Sequence, residues 1–220
     1  MIAQRLRSSI LSEANTKFVT ILQNVTPGTS FTFSNVDFGP YYAGRTILIS
    51  SIVYSATNAG ESTGLTIDGV ATTHTLSAGN FVPGGASILA FSATRDFTGT
   101  TGTIVVSTAV TKSTCTIIVY TTPNQVALTP VSTNSSTGSS GTSVSFSNVA
   151  TLNNDIILGM AGNLSTSPLT YTGGLSYTTD ITNSSRIEGS AQFFAPASTR
   201  TLTFSWVGSA GYRVGYGIFR

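Results

Sequence analysis

Apolar and polar residues alternate with a period of two wherever the pattern is clean. Phe31 and Phe33 lie on one side of the chain with Thr32 opposite, and Leu202, Phe204 and Trp206 lie on one side with Thr201, Thr203 and Ser205 opposite. That period marks strands with one face buried and the other wet. Two runs break it. Ile47 to Ile49 and Ile104 to Val106 are apolar at every position, which predicts central strands covered on both faces, by another domain or by a neighbouring subunit. Turns are marked by Gly39-Pro40, Gly84-Gly85, Gly99 to Gly102 and Gly173-Gly174, where glycine and proline supply dihedrals that other residues disfavour.

An internal repeat organises these strands. Thr29-Ser30-Phe31-Thr32-Phe33-Ser34-Asn35-Val36 matches Thr142-Ser143-Val144-Ser145-Phe146-Ser147-Asn148-Val149 at six of eight positions. The register continues with Ile47-Leu48-Ile49 set against Ile156-Ile157-Leu158, and Leu65 to Gly69 against Leu169 to Gly173. Further on, Ala90 to Ala93 is set against Gln192 to Ala195, and Gly102 to Ser107 against Arg200 to Ser205. A repeated unit of this size and rhythm predicts two tandem antiparallel β-sandwich domains, jelly-roll or Ig-like, over residues 27–125 and 126–220. Thr129 to Thr142 is a Ser/Thr/Gly tract that reads as linker and loop. Residues 1–26 form an N-terminal arm. Within it Ile2, Leu6 and Ile10 make a helical stripe, while the stretch from Lys17 to Val25 reads equally as an initial strand.

Composition changes the picture of the surface. Hydrophobic residues make up 40% of the 220 and charged residues only 8%, so serine and threonine hydroxyls coat the sheets where charges would normally do so. The net charge is +2, and its cations are scattered singly, a distribution that does not follow a phosphate backbone. Nucleic acid is therefore not an expected partner. Neither a signal-peptide pattern nor a long apolar span is visible, so membrane association and secretion are not expected either. Cys115 is the sole cysteine, which excludes an intrachain disulfide and fits assembly in a reducing cytoplasm.

Candidate chemistry is sparse. His74 is the only histidine, and the sequence does not visibly group a nucleophile and an orienting carboxylate with it. The eight acids are dispersed, so neither a metal site nor a carboxylate pair is legible, and no catalytic residue, metal or cofactor is assigned. Cys115 shares its parity with Ile117 and Val119 and reads as core. One motif has the look of a contact site: Gly39 to Arg45 places Tyr41, Tyr42 and Arg45 in a glycine-bounded loop, and tyrosine and arginine are enriched at interface hot spots. The alternative is that one tyrosine packs beneath the sandwich edge. Ile2, Leu6 and Ile10 complete the set of candidate interface residues.

Phe33 to Gly39, Leu65 to Ala71 and Phe97 to Val106 together resemble the β-sandwich modules of uncharacterised tailed-phage structural proteins. The resemblance implies a non-enzymatic virion protein, assembled in the host cytoplasm without export. Its partners would be other virion proteins, the major capsid protein or tail proteins. A capsid decoration or cement protein fits the modest length, and a tail-fibre or tail-tip component fits the tandem sandwiches. A carbohydrate-binding module recognising a host surface glycan is the alternative outside that class, with Tyr171, Tyr177 and Trp206 as its aromatic candidates. Sheet edges so poor in Lys and Glu also predict a homo-oligomer, a trimer being the expected form.

Overall fold

The computed structural model describes residues 17–55, 62–77, 86–123, 126–164, 167–182, 186–195 and 197–220. Among them every regular element is a strand. The first half carries β1 (Lys17–Asn24), β2 (Gly28–Asp37), β3 (Thr46–Ser55), β4 (Ser62–Ile67), β5 (Val70–Ala71), β6 (Thr73–Ser77), β7 (Ala86–Arg95), β8 (Thr101–Lys112) and β9 (Thr114–Thr122). The second carries β10 (Ser132–Gly138), β11 (Ser143–Thr151), β12 (Asp155–Asn163), β13 (Leu169–Thr172), β14 (Ser176–Thr182), β15 (Arg186–Ala195), β16 (Ser198–Trp206) and β17 (Tyr212–Phe219).

Each half folds into two sheets, and the strand order repeats. The first half has a five-stranded sheet β1-β9-β3-β7-β6 and a four-stranded sheet β2-β8-β4-β5; the second has β10-β17-β12-β15-β14 and a three-stranded sheet β11-β16-β13. Pairing is antiparallel and nested: β1 with β9, β2 with β8 and β3 with β7, then β10 with β17, β11 with β16 and β12 with β15. That is the winding of a jelly roll. The expected all-β pair of sandwiches is thus present, and of the two topologies considered the jelly roll is the one adopted.

The repeated Phe-Ser-Asn-Val motif has a local cause. Both β2 and β11 carry a bulge there, between Phe33 and Val36 and between Phe146 and Val149. Asn35 and Asn148 take the left-handed conformation at it, with φ of 55° and 58°. Asparagine tolerates that region better than most residues with a Cβ, and the bulge bends the strand and re-aims its C-terminal end.

The five-stranded sheets pack on one another. Leu48, Ile52, Phe91, Ile118 and Tyr120 of the first half meet Ile156, Leu158, Met160 and Phe219 of the second in one buried cluster. The smaller sheets cover the far faces: Phe31, Phe33, Ile104 and Val106 close on Ile47, Ile49, Ile117 and Val119, and Phe146, Leu202 and Phe204 close on Ile157, Val214 and Ile218. Four layers result, which explains why β3 and β12 are buried at almost every position. The run at Ile47 finds its second cover within the chain, whereas the run at Ile104 does not have one: Ile104 and Val106 are buried but Val105 between them is only half-buried, because β8 lies in an outer sheet with one face open.

Contacts across the middle exchange equivalent strands, since β1 touches β14 where β10 touches β6, and β3 touches β12. The halves are therefore related by a pseudo-twofold axis along the strands, the arrangement of an isologous pair. The ends at which β3 and β12 begin lie together: Arg95, beside Thr46, donates to the carbonyl of Val126, and Ala127 donates to the carbonyl of Arg220, beside Asp155.

Further sequence expectations change. Leu65 corresponds to Tyr171 and not Leu169, since Leu65 pairs with Val106 and Tyr171 with the equivalent Phe204. Thr129 to Thr142 is not all linker, because Ser132–Gly138 is β10, paired with β17 as β1 is with β9. Lys17–Asn24 is strand and belongs to the first sandwich; Ile2, Leu6 and Ile10 lie outside the described residues. Ile47 corresponds to Ile157 and not Ile156, since Ile47 and Ile157 face the outer cores while Leu48 and Leu158 face the centre. Through the same ladder, Ser50 pairs with Phe91 and its equivalent Met160 pairs with Gly189, so the counterpart of Phe91 is Gly189 and not Phe193.

Candidate functional site

The loop singled out by sequence lies at the end where β3 begins, and it is an insertion. Eight residues lie between Val36 and Arg45, but only five between Val149 and Asp155, the position equivalent to Arg45. Both loops close the same way. Gly44 and Asn154 take positive φ, and the next residue donates its N–H three residues back, Arg45 to Tyr42 at 3.2 Å and Asp155 to Leu152 at 3.3 Å. The extra length in the first half is the Gly-Pro-Tyr stretch, with Gly39 also at positive φ and its N–H held by Asp37 Oδ1 at 2.7 Å.

Arg45 folds this longer loop. Its side chain is fully buried, and Nη1 donates to the carbonyls of Phe38, Gly39 and Pro40 at 3.3, 3.0 and 3.3 Å. Nη2 donates to Phe97 and Gly99 in the facing loop at 2.5 and 2.6 Å. One guanidinium thus ties two loops through their backbones, a task its planar fork suits and an ammonium does not. Burial lowers its pKa, with the two neighbouring tyrosines opposing. Beneath the loop Phe38 and Phe97 meet edge to face with ring centroids 5.3 Å apart.

The two tyrosines are placed differently, one packed and one outside. Tyr41 stands 44% exposed, with the Arg45 Cζ 5.6 Å from its ring centroid. Tyr42 is half-buried; burial raises its pKa, and its hydroxyl bonds Thr121. Of Tyr41, Tyr42 and Arg45, then, only Tyr41 offers a surface, and the arginine beneath it serves the fold. Sequence reasoning missed three neighbours at this end of the molecule, the exposed Phe18, Val131 and Leu152. Phe18 rests edge-on against Tyr120, 6.1 Å between ring centroids. An isolated apolar residue at a strand end carries no signal of this in sequence; the inserted Gly-Pro-Tyr does, once the two copies are aligned.

The remaining candidates are held within the fold, although the buried His74 Nε2 has no hydrogen-bond partner among the described residues. His74 Nδ1 lies 2.7 Å from Ser92 Oγ, and burial depresses its pKa. Cys115 lies within the core of the first sandwich, and burial pushes its thiol far above the ordinary range. Asp155 is buried and takes a bidentate pair from Arg220, both contacts at 2.9 Å, with the Leu152 N–H at 2.8 Å. Trp206 is only 5% exposed and packs against Tyr212, and Tyr171 rests on Phe204. These rings belong to the second core and do not form an open stacking face. Among the described residues no group of three or more His, Cys, Asp or Glu side chains is placed to hold a metal ion. Comparison with family models, with curated proteins and with solved structures gives no match for the chain.

Proposed function

We propose that the chain is a non-enzymatic structural protein of a tailed-phage virion, a decoration or cement protein that grips the outer shell with its loop end. The observation that carries this reading is Tyr41. An aromatic ring is held in the open on a loop locked by the five bonds of Arg45, so it loses little freedom on binding, and preorganised aromatics are what concentrate binding energy at an interface. The loop is present in one copy of the repeat only, as expected for a contact added to a duplicated scaffold. Jelly rolls serve in viral capsids and in lectins, a fold-level analogy that supports the class without selecting the job.

The contact proposed is with the shell and not chiefly among copies of the chain. Poverty of Lys and Glu suggests unguarded edges and a trimer, yet among the described residues four of the eight edge strands, β1, β2, β11 and β14, carry a bulge, which blunts an edge without charge. The glycan reading loses support with Trp206 buried in a core.

Counting the protein on purified particles tests the proposal. Copies matched to the capsid lattice are expected, and Tyr41→Ala should lower occupancy about tenfold, in line with loss of one interface anchor, while leaving the melting temperature unchanged. A few copies per particle would make it a tail component. Absence from clean particles would end the virion reading altogether.

A further inference from the structure

The faces that join the two halves are not alike, although the strands behind them are equivalent. Leu48 pairs with Tyr120 and Leu158 with Gly217; Ser50 pairs with Phe91 and Met160 with Gly189. At two equivalent positions, therefore, the first half presents large rings and the second presents glycine. Phe91 and Tyr120 are both in the central cluster, and a Cβ added to Gly217 would lie 2.9 Å from the ring of Phe91. The ring occupies the space that a side chain at 217 would need.

From this we infer that the two five-stranded sheets form a directional interface, each built to accept the other and to reject a copy of itself, so that the chain is a tethered pair of separable subunits. The pseudo-twofold axis supplies the reason. Applied to two copies of the first half, it would bring Phe91 of one against Tyr120 of the other. Applied to two copies of the second, it would set Gly189 against Gly217 and leave a void. Interiors tolerate neither overpacking nor cavities. Only the mixed pair fills the space, with a ring on one side and a glycine on the other.

The face is large enough to hold without its tether. Five strands about 4.8 Å apart and nine residues rising about 3.3 Å each give a footprint of roughly 700 Å², close to the roughly 800 Å² per partner of a stable interface. The connector adds effective concentration, but the fit of the two faces does not depend on it.

A protease site placed at Asn124-Gln125 in the full-length chain provides the test. After cutting the folded protein, the fragments should stay together at micromolar concentration and give a single 1:1 mass by native mass spectrometry. Fragments that separate overturn the inference, and so does any homodimer of either fragment after mixing. Gly217→Leu in the same cleavable chain should weaken retention at least tenfold, and adding Phe91→Ala, which vacates the ring, should restore most of it. If Gly217→Leu alone does not fold, recovery of a folded 1:1 pair in the double variant supports the packing argument, and failure of the double variant refutes it. Retention unchanged by Gly217→Leu also refutes it.

Discussion

Arg45 and Asp155 occupy the same place in the two copies, and they solve one problem with opposite charges. Each follows a residue of positive φ, each closes a turn through its own N–H, and each side chain is buried at the start of the central strand of its sheet. In the first half the buried group is a cation that gathers backbone carbonyls from two loops. In the second it is an anion that draws Arg220 down from the surface, where that side chain is still 43% exposed. The strand end needs a polar hub, and the sign of the hub decides what its rim displays. A cationic hub lets a long loop stand up with Tyr41 outermost, whereas an anionic hub closes a short loop and leaves a guanidinium at the surface.

Arg45→Ala should break the first hub with the largest effect, about 3–5 kcal/mol by urea denaturation, since it strands buried carbonyls in both loops. Arg45→Lys should recover little of this, because a single ammonium cannot span five acceptors. A loss under about 1 kcal/mol for the alanine variant would mean that water replaces the arginine easily, as at an exposed site, and that the loop is not locked.

Asp155→Asn should cost less, about 1–2 kcal/mol, because its partner returns to water instead of being left buried. Acid separates the two hubs further. Burial alone would raise the Asp155 pKa, but the Arg220 hydrogen bonds and the Leu152 N–H outweigh it and hold the carboxyl below its ordinary 3.8. Its contribution is therefore complete above the unfolded value and disappears as pH falls through the folded one. The gap between wild type and Asp155→Asn should close with acid, while the gap for Arg45→Ala should persist. His74 adds a separate loss that begins higher: its folded pKa lies below the ordinary 6.5, so the unfolded chain takes up the proton first and stability falls as pH drops beneath that value.

Much of this architecture is legible in the sequence, and the failures have physical reasons. Phe31 and Phe33 announce a half-buried strand because their neighbours are polar. Ile47-Leu48-Ile49 and Ile156-Ile157-Leu158 do not reveal which face is which, since both faces are buried and a one-residue slip leaves the pattern equally apolar. The extra loop residues before Arg45 hide the correct register. Ser132 to Gly138 looks like linker because a strand made of hydroxyls has no apolar period to show. Arg45 reads with its tyrosines as a surface group, and nothing in a sequence separates an arginine that meets solvent from one that meets carbonyls. Tyr41 is legible for the opposite reason: an aromatic residue between glycines in a loop is seldom core.

The bulges should behave alike where the hubs differ. Asn35→Ala and Asn148→Ala each force a residue with a Cβ and no compensating side-chain bond into the left-handed region, which costs roughly 1–2 kcal/mol. Glycine at either site should be nearly neutral. Equal losses in the two copies would show that the duplicated motif still does the same work in both. Unequal losses would place the divergence of the halves in the edge strands as well as in the loops.

The smallest effect expected has the opposite sign. Ser50 lies at the centre of the first inner sheet, at the position that Met160 fills in the second, and its buried Oγ has no hydrogen-bond partner among the described residues. A buried hydroxyl without a partner is less stable than an apolar group of similar shape. Ser50→Ala should therefore raise stability by about 0.5–1 kcal/mol, read as a higher denaturation midpoint with an unchanged slope. A methionine there would copy the other half but crowd Phe91, its partner across the strands, and should destabilise by about 1–3 kcal/mol through overpacking. If both substitutions stabilise, the central layer is looser than a ring set against a glycine requires. If alanine alone does, the serine marks the limit to which the two faces can be made the same.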